Sequence, residues 1–253
     1  MQYQFDWVGI ATGVPVRWLL AGFVNTLTIS FISIVLAMAL GIVVSAMRVS
    51  GFKPLVWLSA AYVEFFRNTP LLVQIFFWYF SYQVVLPTAL ADWINTVFVK
   101  FAYVIPKTPT PVNWFVLSAE TVSCIIALTV YTAAFIAEEI RAGIFSIPKN
   151  QLEASRATGL TFIQAYRYVI LPQAIRIVIP PLISQFLNLI KNSSLCMVIG
   201  VGELAYQATQ IESYFGRAFE GFTYATLIYL IISLTVSFVI TMYNKHFMLQ
   251  VRY

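Results

Sequence analysis

Residues 148–172 read PKNQLEASRATGLTFIQAYRYVILP, and this tract decides how the rest of the chain is understood. Lys149, Glu153, Arg156 and Arg167 fall inside it, with hydroxyl and amide side chains between them. Around it the chain is built for lipid: 60% of its 253 residues are apolar and only 10% are charged. About 20 apolar residues in a helix cross a hydrocarbon core of roughly 30 Å. Such a helix satisfies its own backbone hydrogen bonds, which lipid cannot do for it. A lipid-embedded chain that concentrates polarity in one internal tract is expected to show that tract to a soluble partner.

The tract itself predicts a helix, a tight turn and a second helix. Pro148 suits a helix start, and Lys149 to Thr158 contain good helix formers. Gly159 fits a left-handed helix end, where the missing Cβ avoids strain. Thr161 and Gln164 have capping-box spacing, so a second helix is expected to run from there toward Leu171, with Pro172 near its end. Glu153 sits early in the first helix, near the positive end of its dipole. The small residues Ala154, Ser155 and Ala157 leave a narrow surface that another protein can approach closely.

Outward from the tract, five spans are expected at about 18–47, 70–86, 115–137, 181–201 and 222–243, within a membrane domain over 18–243. The second apolar stretch is broken at Glu64, Arg67, Asn68 and Pro70. That pattern predicts a short amphipathic surface segment, then a span from Pro70 onward. Lys and Arg placement sets orientation. Arg48, Lys53, Arg141, Lys149, Arg156, Arg167, Arg176, Lys245 and Arg252 outnumber Arg17, Lys100, Lys107 and Arg217 on the other side. The tract and the C-terminus are therefore expected in the cytoplasm and the N-terminus outside. Residues 87–114, with Pro87, Pro106, Pro109, Pro111 and the interfacial anchors Trp93 and Trp114, form one outer segment. Residues 202–221, with Glu203, Glu212 and Glu220 against Arg217, form another.

Several function classes drop out. Basic residues are scattered with no basic run, so nucleic acid is not a partner. Cys124 and Cys196 lie in apolar runs and are expected as buried small residues, not a disulfide. The first residues lack a basic start and a short apolar core, so no cleaved signal peptide is expected. No nucleophile–base set or metal-ligand cluster marks an enzyme. No G-x-x-x-x-G-K-[ST] loop occurs, so the chain has no such means of binding ATP.

Three segments carry a resemblance. Glu153-Ala154-Ser155, Gly159 and Val169-Ile170-Leu171-Pro172 resemble the EAA loop of ABC importer membrane subunits, with Ser155 for the second Ala and Val169 for Ile. Residues 62–74 (YVEFFRNTPLLVQ) and 188–195 (NLIKNSSL) are similar to the second- and fourth-span segments of the polar amino acid permeases, and the glutamate/aspartate subunits look closest. The resemblance implies an all-α membrane protein with the five-helix, MetI-like fold of type I ABC importer permeases and cytoplasmic EAA coupling helices. It implies a bacterial inner-membrane subunit, itself without cofactor, coupled through Glu153, Ala154, Ser155, Gly159, Leu171 and Pro172 to a cytoplasmic ATPase dimer that binds ATP and Mg. A second permease, identical or related, and a periplasmic or lipid-anchored amino acid-binding protein complete the expected assembly.

Intramembrane charge marks the pathway candidates. Lys191 is costly in lipid unless it meets a partner or a wet cavity. Asn188, Asn192, Ser193 and Ser194 surround it, and helical spacing puts Asn188 with Lys191 and Asn192 on one face. Lys191 is either an answer to a substrate carboxylate or a cation held by a neighbouring span or snorkelling outward. Arg67 and Glu64, three apart, are expected to pair, as an interfacial anchor or a gating and substrate contact. Glu138 and Glu139 are read as a solvated helix end paired with Arg141. The rival class is an ion- or proton-coupled secondary transporter, which would need an intramembrane carboxylate network. Only Glu64 and Glu120 lie near the expected spans.

Overall fold

The structure, a computed structural model, describes residues 3–85, 92 and 118–247. The outer-segment residues Pro87, Trp93, Lys100, Pro106, Lys107, Pro109, Pro111 and Trp114 lie outside the described residues, as do the edges of the second and third expected spans and Arg252.

Among the described residues all regular elements are helices: α1 (Trp7–Ile10), α2 (Gly13–Val49), α3 (Lys53–Asn68), α4 (Leu71–Val85), α5 (Ala119–Phe145), α6 (Lys149–Ala157), α7 (Phe162–Ile199), α8 (Leu204–Phe215) and α9 (Ala218–Phe247). Four of them, α2, α5, α7 and α9, are long and apolar enough to cross a membrane, and α4 contains the shorter apolar stretch Leu71–Ser81. The break between α3 and α4 follows from Pro70. Thr69 is extended (φ −104°, ψ 138°), as a residue before proline prefers.

Two expected boundaries differ. The second helix of the polar tract does not end near Pro172: α7 continues through it, and through Pro180 and Pro181, to Ile199. A π-turn over Tyr166–Ile170 is the reason. There the Leu171 N–H bonds to the Tyr166 carbonyl, five residues back, and this wider turn shifts the hydrogen-bond register just before a residue that has no N–H to give. The third span likewise runs on past Glu138, Glu139 and Arg141 to Phe145. Residues 202–221, expected as a connecting segment, contain the helix α8.

The chain divides into two compact units. One takes the chain up to Ile34, Pro70–Leu128 and Asn188–Val236; the other takes Val35–Thr69, Thr129–Leu187 and the chain from Ser237. In the first, Ile10, Trp18, Leu19 and Ala21 pack on Leu204, Ala208, Ile211 and Ala225. Gly22 permits this approach, because a Cβ there would stand 2.8 Å from the Leu204 Cα. The N-terminal segment is held by fully buried Glu220, which accepts the Asp6 N–H at 2.7 Å and the Tyr3 hydroxyl. The same unit corrects the cysteine expectation. Cys124 and Cys196 form a disulfide with Cα atoms 5.9 Å apart. Both are fully buried, so burial was legible, but 72 residues separate them and only the fold brings them together.

In the second unit small residues carry the packing, as they do between helices in lipid. Ala37, Ala133 and Ile136 pack with Val178 and Leu182. A Cβ on Gly41 would lie 2.6 Å from Ile136, and one on Gly143 would lie 2.0 Å from Val178.

Candidate functional site

Local chemistry builds the polar tract into a defined hairpin. Pro148 occupies the N-cap of α6. At the other end Gly159 takes φ +91° and the Gly159 N–H bonds to the Arg156 carbonyl at 3.0 Å, while Leu160 N–H reaches Ser155 O at 3.4 Å. This pair of bonds is a Schellman motif, and it satisfies carbonyls the helix end would leave orphaned. The turn leads straight into a complete capping box: Gln164 N–H bonds to Thr161 Oγ1 at 3.3 Å, and Thr161 N–H bonds to Gln164 Oε1 at 2.9 Å.

The hairpin stands on an apolar base in which Ile147, Ile170 and Ala174 are buried against Ile144, Leu152, Tyr166 and Val169. Ser155 is turned inward, donating to the Leu152 carbonyl at 2.8 Å. Glu153, Ala154, Gly159, Leu171 and Pro172 stay exposed. Large apolar side chains are exposed beside them, Phe162 at 50% and Ile163 at 76%. A rigid projection with one carboxylate and bare apolar side chains fits insertion into another protein's groove.

Where α5 approaches the hairpin, Glu138 accepts two bonds from Arg141 Nε at 2.9 and 3.0 Å, with Arg48 3.8 Å away. The expected Glu138–Arg141 pair is present, joined by the arginine that ends α2. The expected Glu64–Arg67 pair is not among the ion pairs of the described residues. Glu64 instead accepts the Asn68 amide at 3.0 Å, and the Arg67 guanidinium sits 5.2 Å from the centre of the Phe135 ring. Four-residue spacing favours the amide contact, and the aromatic face offers the cation a partner that needs no carboxylate.

In the fourth span Asn188 and Lys191 are exposed, and Asn192 and Ser194 are half-buried. Ser193 is fully buried and donates to the Ile190 carbonyl at 2.8 Å. The polar face therefore centres on Asn188, Lys191 and Asn192, with Ser193 behind it.

A network absent from the sequence reading lies just beyond. Glu203, fully buried, caps α8 by accepting Ala205 N–H at 2.9 Å and Tyr206 N–H at 2.7 Å, and it accepts the Tyr229 hydroxyl at 2.6 Å. Burial pushes its carboxyl up to about 7, and these three donors oppose that rise. The one weak sequence signal was the Gly200–Gly202 bracket before it; Glu is not a preferred N-cap, so nothing singled it out.

Residues 33–252 match the family of binding-protein-dependent transport system inner membrane components. The chain belongs to that family. It is therefore a multi-pass inner-membrane permease subunit and not an enzyme. It is 43% identical over 216 residues to the Bacillus subtilis (strain 168) protein described as "Probable glutamine ABC transporter permease protein GlnM", covering 85% of this chain and 87% of that one. It is 35% identical over 228 residues to the glutamate/aspartate import permease protein GltJ of Escherichia coli (strain K12), covering 90% and 86%. Its structure is similar to the crystal structure of an amino acid ABC transporter with histidines (TM-score 0.76, 28% identity, 96% of this chain and 100% of that chain). An inward-facing methionine transporter, MetNI, shares the fold (TM-score 0.67, 21% identity, 93% and 99%). The expected fold class, a type I, MetI-like importer permease, is the one found.

Proposed function

We propose that this chain is the translocating subunit of an ATP-driven importer for a polar amino acid, glutamate or aspartate, and that it takes its energy through the 148–172 hairpin. The observation that carries the reading is the hairpin itself. It is capped at both turns, founded on buried Ile170, and presents Glu153, Ala154 and Gly159 beside exposed Phe162 and Ile163. Closure of an ATPase dimer that grips this projection would pull on α7, which runs unbroken from the hairpin to the Asn188–Lys191–Asn192 face. There Lys191 would meet the substrate's carboxylate and the two asparagines would accept and donate around it. The hairpin and C-terminus would face the cytoplasm and the N-terminus the outside, where a binding protein would deliver substrate. A second permease subunit, identical or related, would complete the pathway.

Glutamine is the second reading, favoured by the 43% identity to the Bacillus protein. Lys191 answers an α-carboxylate common to all these substrates and does not choose between them. The test is reconstitution with an amino acid importer ATPase and binding protein from the same organism, assayed for uptake of L-glutamate, L-aspartate and L-glutamine. Glu153→Lys and Gly159→Asp should each leave the chain in the membrane and lower uptake at least tenfold. Normal uptake by a well-expressed Gly159→Asp protein would overturn the docking role.

A further inference from the structure

The end of α7 is tied down more heavily than a connection between helices requires. Gly200 takes φ +87° and caps the last 3-10 turn, its N–H bonding to the Cys196 and Met197 carbonyls. From α2, the Asn25 amide donates to Gly202 O at 2.7 Å, and the Thr26 hydroxyl accepts Leu204 N–H at 3.1 Å. From α9, the Tyr229 hydroxyl donates to Glu203 at 2.6 Å. On α7 itself, Ser193 is fully buried and its hydroxyl donates to the Ile190 carbonyl at 2.8 Å. Ser193 directly follows Asn192 and stands two residues after Lys191.

A helix cap alone explains only part of this. An N-cap needs a side-chain oxygen for the second or third amide, which Ser, Thr, Asn or Asp supply with a shorter chain. Glu203 spends its longer chain on a second task, because the oxygen that takes the Ala205 N–H also takes the Tyr229 hydroxyl. A fully buried carboxylate is expensive unless all its lone pairs are used well, and truncating one partner leaves the rest unpaired. Tyr229 is the titratable group that touches Glu203, and the ion pairs among the described residues do not include it.

We propose that Glu203 is a positioning residue for transport. It clamps α8 to Tyr229 of α9, and this clamp, together with the Asn25 and Thr26 bonds from α2, holds residues 202–204 and so fixes the end of α7 and the orientation of the Asn188–Lys191–Asn192 face. The inference rests on that face being the translocation face. It adds a residue that never touches substrate, and it separates two jobs, capping and clamping, that one carboxylate performs.

The two jobs can be pulled apart. Glu203→Asp keeps a carboxylate at the N-cap and shortens its reach to Tyr229. Tyr229→Phe keeps the cap intact and removes the hydroxyl. In the complete reconstituted importer, with L-glutamate and L-glutamine as probes, each variant should reduce uptake at least fivefold. The double variant should be no worse than the poorer single one, as expected for two ends of one contact. Uptake is compared at equal amounts of assembled complex, because Tyr229→Phe also leaves a buried Glu203 oxygen short of a donor and should lower the thermal midpoint. Wild-type-like uptake by both single variants, within twofold, would show that Glu203 is only a cap and would overturn the inference. So would losses that multiply in the double variant. A wild-type complex that takes up neither amino acid would instead refute the proposed function. Should Glu203→Asp fail to assemble, Tyr229→Phe decides alone.

Discussion

Single residues set the sharpest tests because each sits where one chemical property matters. Lys191 is exposed on the fourth span, with its charge at a depth where charge is tolerated only for a reason. Lys191→Met keeps the length and removes the ammonium. The expectation is an assembled complex with at least tenfold lower uptake, measured as initial rate in proteoliposomes; retained uptake at unchanged affinity would assign Lys191 a structural role. Glu203 offers a pH test. Its carboxyl titrates near 7, above the ordinary 4.5, because burial disfavours the charge. The folded state therefore keeps a proton that the unfolded chain gives up. Between about pH 4.5 and 7 the folded chain binds more protons, so stability falls as pH rises through that window and levels above it. Glu203→Gln removes this slope. The thermal midpoint of wild type minus that of Glu203→Gln should fall by several degrees from pH 5 to pH 8, following about 1.4 kcal/mol per unit of pKa shift. A constant difference would place the titration elsewhere.

Elements divide into those whose cause is local and those whose cause is not. The hairpin's turn and caps were legible because Gly159, Thr161 and Gln164 act within a few residues of themselves. The Thr69–Pro70 break was legible for the same reason. The continuity of α7 was not. Three prolines argue locally for ends, and only the π-turn over Tyr166–Ile170, together with tertiary support, lets the helix pass Pro172. Glu203 was equally hidden, since its one distant partner, Tyr229, comes from α9. Packing between elements also yields a test. The Cβ of a Gly143→Ala chain would meet Val178 Cγ2 at 2.0 Å, so the Val178 side chain or a helix must shift. Overpacking of this kind costs about 1–3 kcal/mol. Gly143→Ala should lower the thermal midpoint in detergent, and adding Val178→Ala, which removes the obstructing methyl, should restore part of it. An unchanged midpoint in the single variant would mean that α5 and α7 are looser than their close approach implies.

At the scale of the whole chain, the disulfide bears on orientation. Cys124 lies near the start of α5 and Cys196 near the end of α7, while the hairpin joins the other ends of these two helices. Disulfides persist in oxidising compartments and are rare in the cytosol. A bond at those ends fits the positive-inside count, in which Arg141, Lys149, Arg156 and Arg167 crowd the hairpin side. Two unlike physical effects, the membrane's charge asymmetry and the redox difference across it, then favour the same topology. Closing a loop of 72 residues removes chain entropy worth at most about 4 kcal/mol, less where the unfolded chain stays in lipid. Protein from a host with intact periplasmic thiol oxidation should yield a cross-linked peptide containing both cysteines on non-reducing digestion. Protein from a host lacking that oxidation should not, and its thermal midpoint should be lower by several degrees. Cys124→Ser with Cys196→Ser should reproduce the lower midpoint in either host. A cross-link formed equally in both hosts would remove the redox argument for placing these helix ends outside, leaving the topology to rest on charge alone.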